Sequence, residues 1–499
     1  MRKEQKGGKT YFRGSNGNYY DGWRSYKDGV EKHLARVLKY EPNTTIFDAQ
    51  LTADFEEYYK ALQALEYTDN AENGASLDSP DKSYSYVVTL LGEVCSIVIK
   101  VEAYNWVHIH HAGWLFDGMD NGREFLDHYK ALKNKGLKRC NTLALTASGL
   151  YKISLGGQYG YYYPDCYREK INKDETLYDF LYSGYRGGFN FLAESEKGYG
   201  RDVAEGYVYD VNSLYPYVFA YYPMPNGSAT YKTGTPPKWL AKLANKGERF
   251  VMVRIEADYH VKEGRLPFVM PDRHAGVSSE GSRILTLTWL ELKLFCEHYK
   301  AKVKYIDYIY MGTNKGIGRD FVREHYNNKR NAPNEIERRI SKGVLNYLIG
   351  GFSRKMVRRN LIKDKNGDWT IHKTESPGPS AMYIGVAVTS YARCKIVQDA
   401  QKNYANFVYS DTDSLHLTAP AVGISIGDGL GQYKQEAHYT EACYLKQKYY
   451  GYKDTEKGIK IVSAGVPKKY TSKIAEKYAD HDIVEIMENL QAYALTVAE

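Results

Sequence analysis

No stretch of about 18 consecutive apolar residues occurs in the chain, so nothing in it reads as a membrane-spanning helix. Cysteine is scarce: six residues among 499, from Cys95 to Cys443, with no Cys-x-x-Cys pair and no Cys/His ligand spacing. That argues against a disulfide framework or a zinc site, and for free thiols in a reducing compartment. Internal repeats and low-complexity tracts are absent, which sets aside solenoids and linker-like chains. The start, MRKEQKGGKT, is basic and polar with no apolar core behind it, unlike a secretory signal. A mainly disordered chain is excluded too, because 43% of the residues are hydrophobic and 26% charged. What the sequence has in excess is tyrosine, 49 residues against 15 Phe and 6 Trp. Tyrosine joins a flat ring to a polar tip, which suits stacking and wet interfaces. The formal charge of +8 fits either a solvated surface or a polyanionic partner.

Residues 45–67 carry Phe55, Tyr59, Leu62 and Leu65 at helical spacing. Residues 85–111 are rich in Val and Ile and broken by Gly-Glu, a pattern of strands. The segment GGQYGYYYPD (156–165) reads as a boundary loop. Residues 206–222 begin as a strand and pass through Asn-Ser into an aromatic helix; 226–237 read as turn, and 283–299 end with a helical period. The spacing predicts an amphipathic helix over 334–349, with Gly350-Gly351 placed to close it. In KDKNGDWTIH (363–372) an Asn-Gly turn lies between strand-like flanks, so a hairpin is expected. Residues 405–419 read as strand, tight acidic turn, strand, and the tail 468–499 as polar and then helical.

Three carboxylates stand out. Asp210 ends the strand VYD, while Asp411 and Asp413 lie in Tyr409-Ser-Asp-Thr-Asp-Ser at a hairpin tip. Carboxylates at the ends of neighbouring strands can converge on magnesium, which takes oxygen ligands and leaves positions for water and substrate phosphates. Two such ions stabilise both the attacking and the leaving oxygen of a phosphoryl displacement. The same Asp-Thr-Asp also suits a plain turn, or the Asp-x-Asp metal motif of a glycosyltransferase. On the predicted helix, Arg338, Lys342 and Asn346 share one face, and Ile336, Ile340 and Val344 the other. A cationic face suits a triphosphate; a solvated basic face is the plainer alternative. His108, His110 and His111 cluster in WVHIHHA, and His108 and His110 share a strand face, but no carboxylate or cysteine joins them at ligand spacing. Residues 354–365 (RKMVRRNLIKDK) are strongly basic and suit DNA phosphates, with salt-sensitive binding.

Taken together, these motifs carry a resemblance. Asp210-Val-Asn-Ser-Leu-Tyr-Pro resembles the first polymerase motif of the family B DNA polymerases. Lys342-Gly-Val-Leu-Asn346-Tyr-Leu-Ile-Gly350 resembles the second, and Tyr409-Ser-Asp411-Thr-Asp413-Ser matches the third, in the family order. Tyr185-Arg-Gly-Gly-Phe resembles the linker signature between the exonuclease and polymerase parts, and Lys446-Gln-Lys448-Tyr-Tyr450 the Lys-x-Tyr motif. The likeness spans about residues 180–465 and points to the protein-primed branch of bacteriophages and linear plasmids.

The resemblance implies an α+β right-hand fold of palm, fingers and thumb, with a reduced exonuclease-like domain at the N-terminus. It divides the chain into 1–184, the exonuclease-like part; 185–465, palm and fingers with insertions near 268–315 and 354–382; and 466–499, the thumb segment. It implies that Asp210, Asp411 and Asp413 form the catalytic cluster, with Asp210 and Asp413 holding two Mg2+ ions for which Mn2+ can substitute. Ser213, Leu214, Tyr215, Arg338, Lys342 and Asn346 would meet the nucleotide, with Tyr215 stacked under the sugar as a gate against ribose. Tyr185, Arg186, Gly187, Gly188, Lys448 and Tyr450 would meet the DNA. The implied partners of a monomer in the cytoplasm of a bacterial host are primer-template DNA, dNTPs and a priming (terminal) protein, with strand displacement. Two departures stand against the pattern. Ile349 occupies the place of a tyrosine in the second motif. The proofreading residues are poorly matched, because Asp54-Phe-Glu56 sits in a helix-like segment and Gly113 precedes Phe116-Asp117 where asparagine belongs. A nuclease-dead N-terminal domain is therefore expected. A non-catalytic nucleic-acid-binding remnant is the alternative to a polymerase.

Overall fold

A computed structural model of the chain describes residues 143–164, 175–193, 201–272, 275–333, 335–353, 355–363, 369–377, 381–464, 466, 468–490 and 493, and six strands before them. The described residues form two compact units, Met1–Leu150 with Asn328–Val344 and Tyr151–Asn327 with Leu345–Glu499. In the first, β1 (Arg2–Lys6), β2 (Lys9–Arg13) and β3 (Tyr19–Tyr20) make one antiparallel sheet. A second consists of β4 (Lys82–Leu90), β5 (Glu93–Val101) and β6 (Asn105–His110). The Gly-Glu break falls between β4 and β5, whose register closes at Leu90 opposite Glu93. His108 pairs with Val98 and His110 with Ser96. The expected helix at 45–67, the residues Asp54, Glu56, Gly113, Phe116 and Asp117, and His111 lie outside the described residues.

The second unit carries an eight-stranded sheet. Its strands are β7 (Phe189–Leu192), β8 (Arg201–Val203), β9 (Gly206–Val211), β16 (Phe407–Thr412), β17 (Ser414–Leu417), β18 (Tyr433–Lys446), β19 (Tyr449–Asp454) and β20 (Gly458–Ser463). The order is β20-β19-β18-β9-β17-β16-β7, with β8 pairing β18. The central β9 is buried at Gly206, Val208, Tyr209 and Val211, as a strand covered on both faces should be. Helix α4 (Met382–Lys402) is buried along most of its length and on all sides, in the manner of a core helix. Ile384, Val386, Val388, Ile396 and Val397 are fully enclosed there, each worth about 1.5–3 kcal/mol over exposure.

Four further strands, β10 (Pro223–Thr233), β11 (Arg249–Val261), β12 (Glu280–Thr288) and β13 (Tyr299–Lys315), pair in the order β10-β13-β11-β12. The stretch expected as turn at 226–237 is instead mostly strand. Its Asn-Gly-Ser forms a bulge between Asn226 and Thr230, with Gly227 at φ 78°, rather than a chain reversal. The expected insertion at 268–315 supplies β12, β13 and the helix α2 (Trp289–His298) to this sheet. The other one, at 354–382, is the hairpin β14 (Lys355–Lys363) and β15 (Trp369–Pro377), in register from Lys355–Pro377 to Lys363–Trp369.

The compact units divide at Leu150 rather than at 184. The cause is aromatic packing: Tyr151, Tyr163, Phe180 and Leu181 are buried, and the Tyr151 ring stands edge-on to Phe219, Phe321 and Phe352. Helix α3 (Glu335–Phe352) runs through Gly350-Gly351, because Leu348, Ile349 and Phe352 are buried on its far turns. The tail is helical from Lys468. Its Ile474, Ile483, Ile486, Met487 and Leu490 pack with Cys443 and Ile461 of the large sheet.

Candidate active site

Asp210, Asp411 and Asp413 come to the same end of three adjacent strands. Asp210 sits on β9 directly opposite Ser414 of β17. The next residue, Val211, donates its N–H to the Asp413 carbonyl at 2.9 Å. Across the hairpin the Asp413 N–H bonds the Asp411 carbonyl at 2.7 Å, and Thr412 between them has φ 65°. Ser410 Oγ closes the turn by donating to the Ser414 carbonyl at 2.8 Å. Asp210, Asp411 and Asp413 are all half-buried. Beyond Asp210 the chain turns through Ser213, at φ 54°, into helix α1 (Leu214–Tyr221). Asn212 pins that turn, its N–H on the Gln432 carbonyl and its Nδ2 on the Gly427 carbonyl, both at 2.9 Å.

Asp411 is held by side chains. Its Oδ1 lies 3.2 Å from Lys448 Nζ and accepts from Asn190 Nδ2 at 3.4 Å and Thr412 Oγ1 at 3.3 Å. Among the described residues no group of three or more His, Cys, Asp or Glu gathers as a ready metal cage. The donor set fits magnesium on other terms: carboxylates from adjoining strands, with water and substrate phosphates left to complete an oxygen shell.

Beside the acidic turn lies Tyr185-Arg-Gly-Gly. A Cβ on Gly188 would meet the Thr412 side chain at 2.6 Å, so only glycine lets the two turns lie together. The loop is fixed from beneath by Arg393 of α4, whose Nη1 donates to the carbonyls of Arg186 at 2.8 Å and Gly187 at 2.6 Å. Arg393 in turn grips Glu291 Oε1, from Nε at 3.2 Å and Nη2 at 2.5 Å. Burial alone would raise the Glu291 carboxyl, but Arg393, Arg186 and the Thr288 N–H hold it below its ordinary value. Tyr215, in the first turn of α1, has its hydroxyl pushed up to about 12 by burial, with Arg393 opposing and Asp413, Tyr185 and Asp411 adding to the rise.

The sequence pattern of the family described as DNA polymerase type B, organellar and viral, matches residues 125–422. The chain belongs to that family. Among similar proteins, the DNA polymerase of Bacillus phage phi29 is 29% identical over 285 residues, 53% of this chain and 48% of that one. The DNA polymerase of Streptococcus phage Cp-1 is 28% identical over 267 residues, 49% and 45%. A solved structure of phi29 DNA polymerase with primer-template DNA and incoming nucleotide aligns with TM-score 0.60 at 22% identity, over 70% of this chain and 64% of that one. This type B polymerase chain thus has the expected α+β polymerase fold, and it spans about half the length of the curated relatives it matches.

Not every expected residue of this polymerase-family chain sits where it was expected. Arg186 is buried, not a surface cation: it donates to the Thr286 carbonyl at 2.6 Å, and burial lowers it to about 10 against the pull of Glu291. Tyr450 is also buried, its ring packed with Tyr409, Tyr444 and His416, because β19 is covered on that face. The Leu214 side chain is in the core, leaving only its backbone to the turn. Arg338, Lys342 and Asn346 are exposed on α3, as their spacing predicted, and Arg338 and Lys342 belong to the other compact unit. Val344, Leu345 and Leu348 are buried; the side chains of Ile336 and Ile340 lie outside the described residues. Arg393, Glu291, Asn190 and the Tyr409 hydroxyl escaped the sequence reading. Two of them left signals: Arg393 is a cation in the apolar run 382–394, and Glu291 follows Thr288 by three residues, the spacing of the capping box it forms.

Proposed function

We propose that this chain is a DNA-templated DNA polymerase that adds deoxynucleotides to a primer 3′-hydroxyl. One observation carries the reading: Asp210 and Asp413 are locked side by side by the Val211–Asp413 bond, next to a turn that also holds Asp411. Asp210 and Asp413 would hold the magnesium ions. The metal, when bound, supplies positive charge to the attacking and leaving oxygens. The backbone N–H groups after Asp210, at Ser213 and Leu214, face phosphate oxygens. Tyr215 closes the sugar pocket against a 2′-hydroxyl. Lys342, with Arg338 and Asn346 on the same exposed face, meets the triphosphate, where fixed cations stabilise developing charge. Lys448 grips the primer strand. Tyr185 and the Gly187-Gly188 backbone meet the template, with Arg186 as the strut beneath them rather than a contact.

The finer parts of the proposal are a monomer in a bacterial host cytoplasm, priming from a protein hydroxyl, and strand displacement aided by the basic hairpin β14–β15. Extension of a primed template with Mg2+ by the parent chain and by Asp413→Ala tests the core reading. The parent should extend and the variant should not. A downstream strand on the template reports displacement in the same assay. A parent that binds primer-template without extending it, under Mg2+ or Mn2+, would leave the binding-remnant reading instead.

A further inference from the structure

Lys448 stands at the tip of the β18–β19 turn with φ 58°, a left-handed backbone that a residue with a Cβ keeps only where its surroundings over-determine it. Three contacts do so. Its N–H donates to the Tyr409 hydroxyl at 3.0 Å, its carbonyl accepts from the Ala464 N–H at 2.9 Å, and its Nζ reaches Asp411 Oδ1 at 3.2 Å. Tyr409 cannot yield, because its fully buried ring is wedged among Tyr444, Tyr450 and His416. The same hydroxyl faces the Asn190 side chain, whose Nδ2 donates to the oxygen of Asp411 that Lys448 uses. The Asn190 Oδ1 is buried with no hydrogen-bond partner among the described residues.

We propose that Asp411, Asn190 and Tyr409 form a tether that fixes the Lys448 ammonium over the acidic turn, so that Asp411 acts as a positioning residue for the primer grip and not as an ion ligand. This rests on the polymerase reading. A long lysine side chain loses much rotamer freedom when it is ordered. A lysine whose backbone and ammonium are both tied down meets a phosphate with that loss already taken. The tether also joins β7, the acidic turn and the β18–β19 turn, so the primer strand and the metal-holding carboxylates are set by one rigid piece.

The test compares Tyr409→Phe, Asn190→Ala, Lys448→Ala and the double variant Tyr409→Phe/Lys448→Ala. Tyr409→Phe keeps the ring packing, so its melting temperature should fall by no more than the few degrees that one hydrogen bond is worth. Equilibrium binding of a primer-template, without metal or dNTP, should weaken about three- to tenfold, the range for removing one hydrogen bond. The primer KM should rise with it while the dNTP KM stays, and the double variant should bind no worse than Lys448→Ala alone. Asp411→Asn should weaken primer-template binding without moving the Mg2+ concentration that half-activates extension, whereas Asp413→Asn should shift or abolish activation. Additive losses in the double variant, or an Asp411→Asn that shifts the Mg2+ requirement, overturn the tether. Failure of the parent to extend a primer overturns the polymerase reading instead, and the binding arm still reports on the tether. A parent that binds no primer-template overturns both.

Discussion

Two ion pairs flank the acidic turn and differ in their exposure. In Arg393–Glu291 the side chains are 1% and 3% exposed; in Lys448–Asp411 they are 53% and 22%. The buried pair is saturated, Glu291 by Arg393 and Thr288, Arg393 also by the Arg186 and Gly187 carbonyls. It has no charge left for a ligand, so its work is to hold the Tyr185-Arg-Gly-Gly loop. The exposed pair gains little stability from attraction between groups in water. Its cation remains open to a phosphate. Burial thus separates these two pairs: the enclosed one builds the frame, and the wet one keeps a cation that a phosphate could reach.

The sharpest break of that contrast comes from the acidic turn itself. Asp413→Ala removes a carboxylate to which the proposal gives the metal, but only half-buried side-chain surface. Primer extension should fall by about 10³-fold or more, equivalent to about 4 kcal/mol of barrier, with little change in melting temperature. A large loss of stability in place of activity would put Asp413 among the frame residues. Arg393→Met should do the reverse first. It strands Glu291 in the core and frees two loop carbonyls, at a cost of about 3–5 kcal/mol of unfolding free energy. Urea denaturation would measure it, and a change under about 1 kcal/mol would deny the pair its structural role.

A third case is a buried group that is neutral. His416 lies under the turn, bonded through Nδ1 to the Tyr444 hydroxyl at 2.7 Å, and burial, with Lys460 adding, holds it down to about 3. Its folded value is below the unfolded value of about 6.5, so the unfolded chain takes up the proton first. Stability is full above about pH 6.5 and declines as pH falls toward 3, at a slope of up to about 1.4 kcal/mol per pH unit from this group. His416→Gln should flatten that part of the stability profile measured by denaturation between pH 7 and 4. An unchanged slope would mean that other groups carry the acid sensitivity.

How much of this was legible follows the same division. Asp210, Asp411 and Asp413 could be read because strand ends and an acidic hairpin tip leave local patterns. Lys342 and Asn346 could be read because a helix period separates wet from dry. Arg186 and Tyr450 misled because a motif states residue types and not depth: Arg186 in its loop and Tyr450 on β19 are both buried. Arg393 and Glu291 are 102 positions apart, joined only by the packing of α4 on α2, and no local period predicts that. The turn at 226–237 failed for a related reason: Asn-Gly serves a bulge as well as a reversal, and only pairing with β13 decides which.

The smallest expected effect closes the comparison. Lys448→Ala removes the exposed partner of Asp411 and leaves a half-wet carboxylate still accepting from Asn190 and Thr412. Stability should change by no more than about 0.5–1 kcal/mol in either direction, since the missing attraction is offset by recovered side-chain freedom. The weaker DNA binding should instead be clear at low salt and converge on the parent's as salt rises, with the slope of log affinity against log salt reduced by about 0.9 for each phosphate no longer neutralised. A titration from about 50 to 200 mM salt with parent and variant measures it. If the variant is strongly destabilised while its salt slope is unchanged, Lys448 belongs with Arg393 as part of the frame, and exposure does not sort charge in this fold.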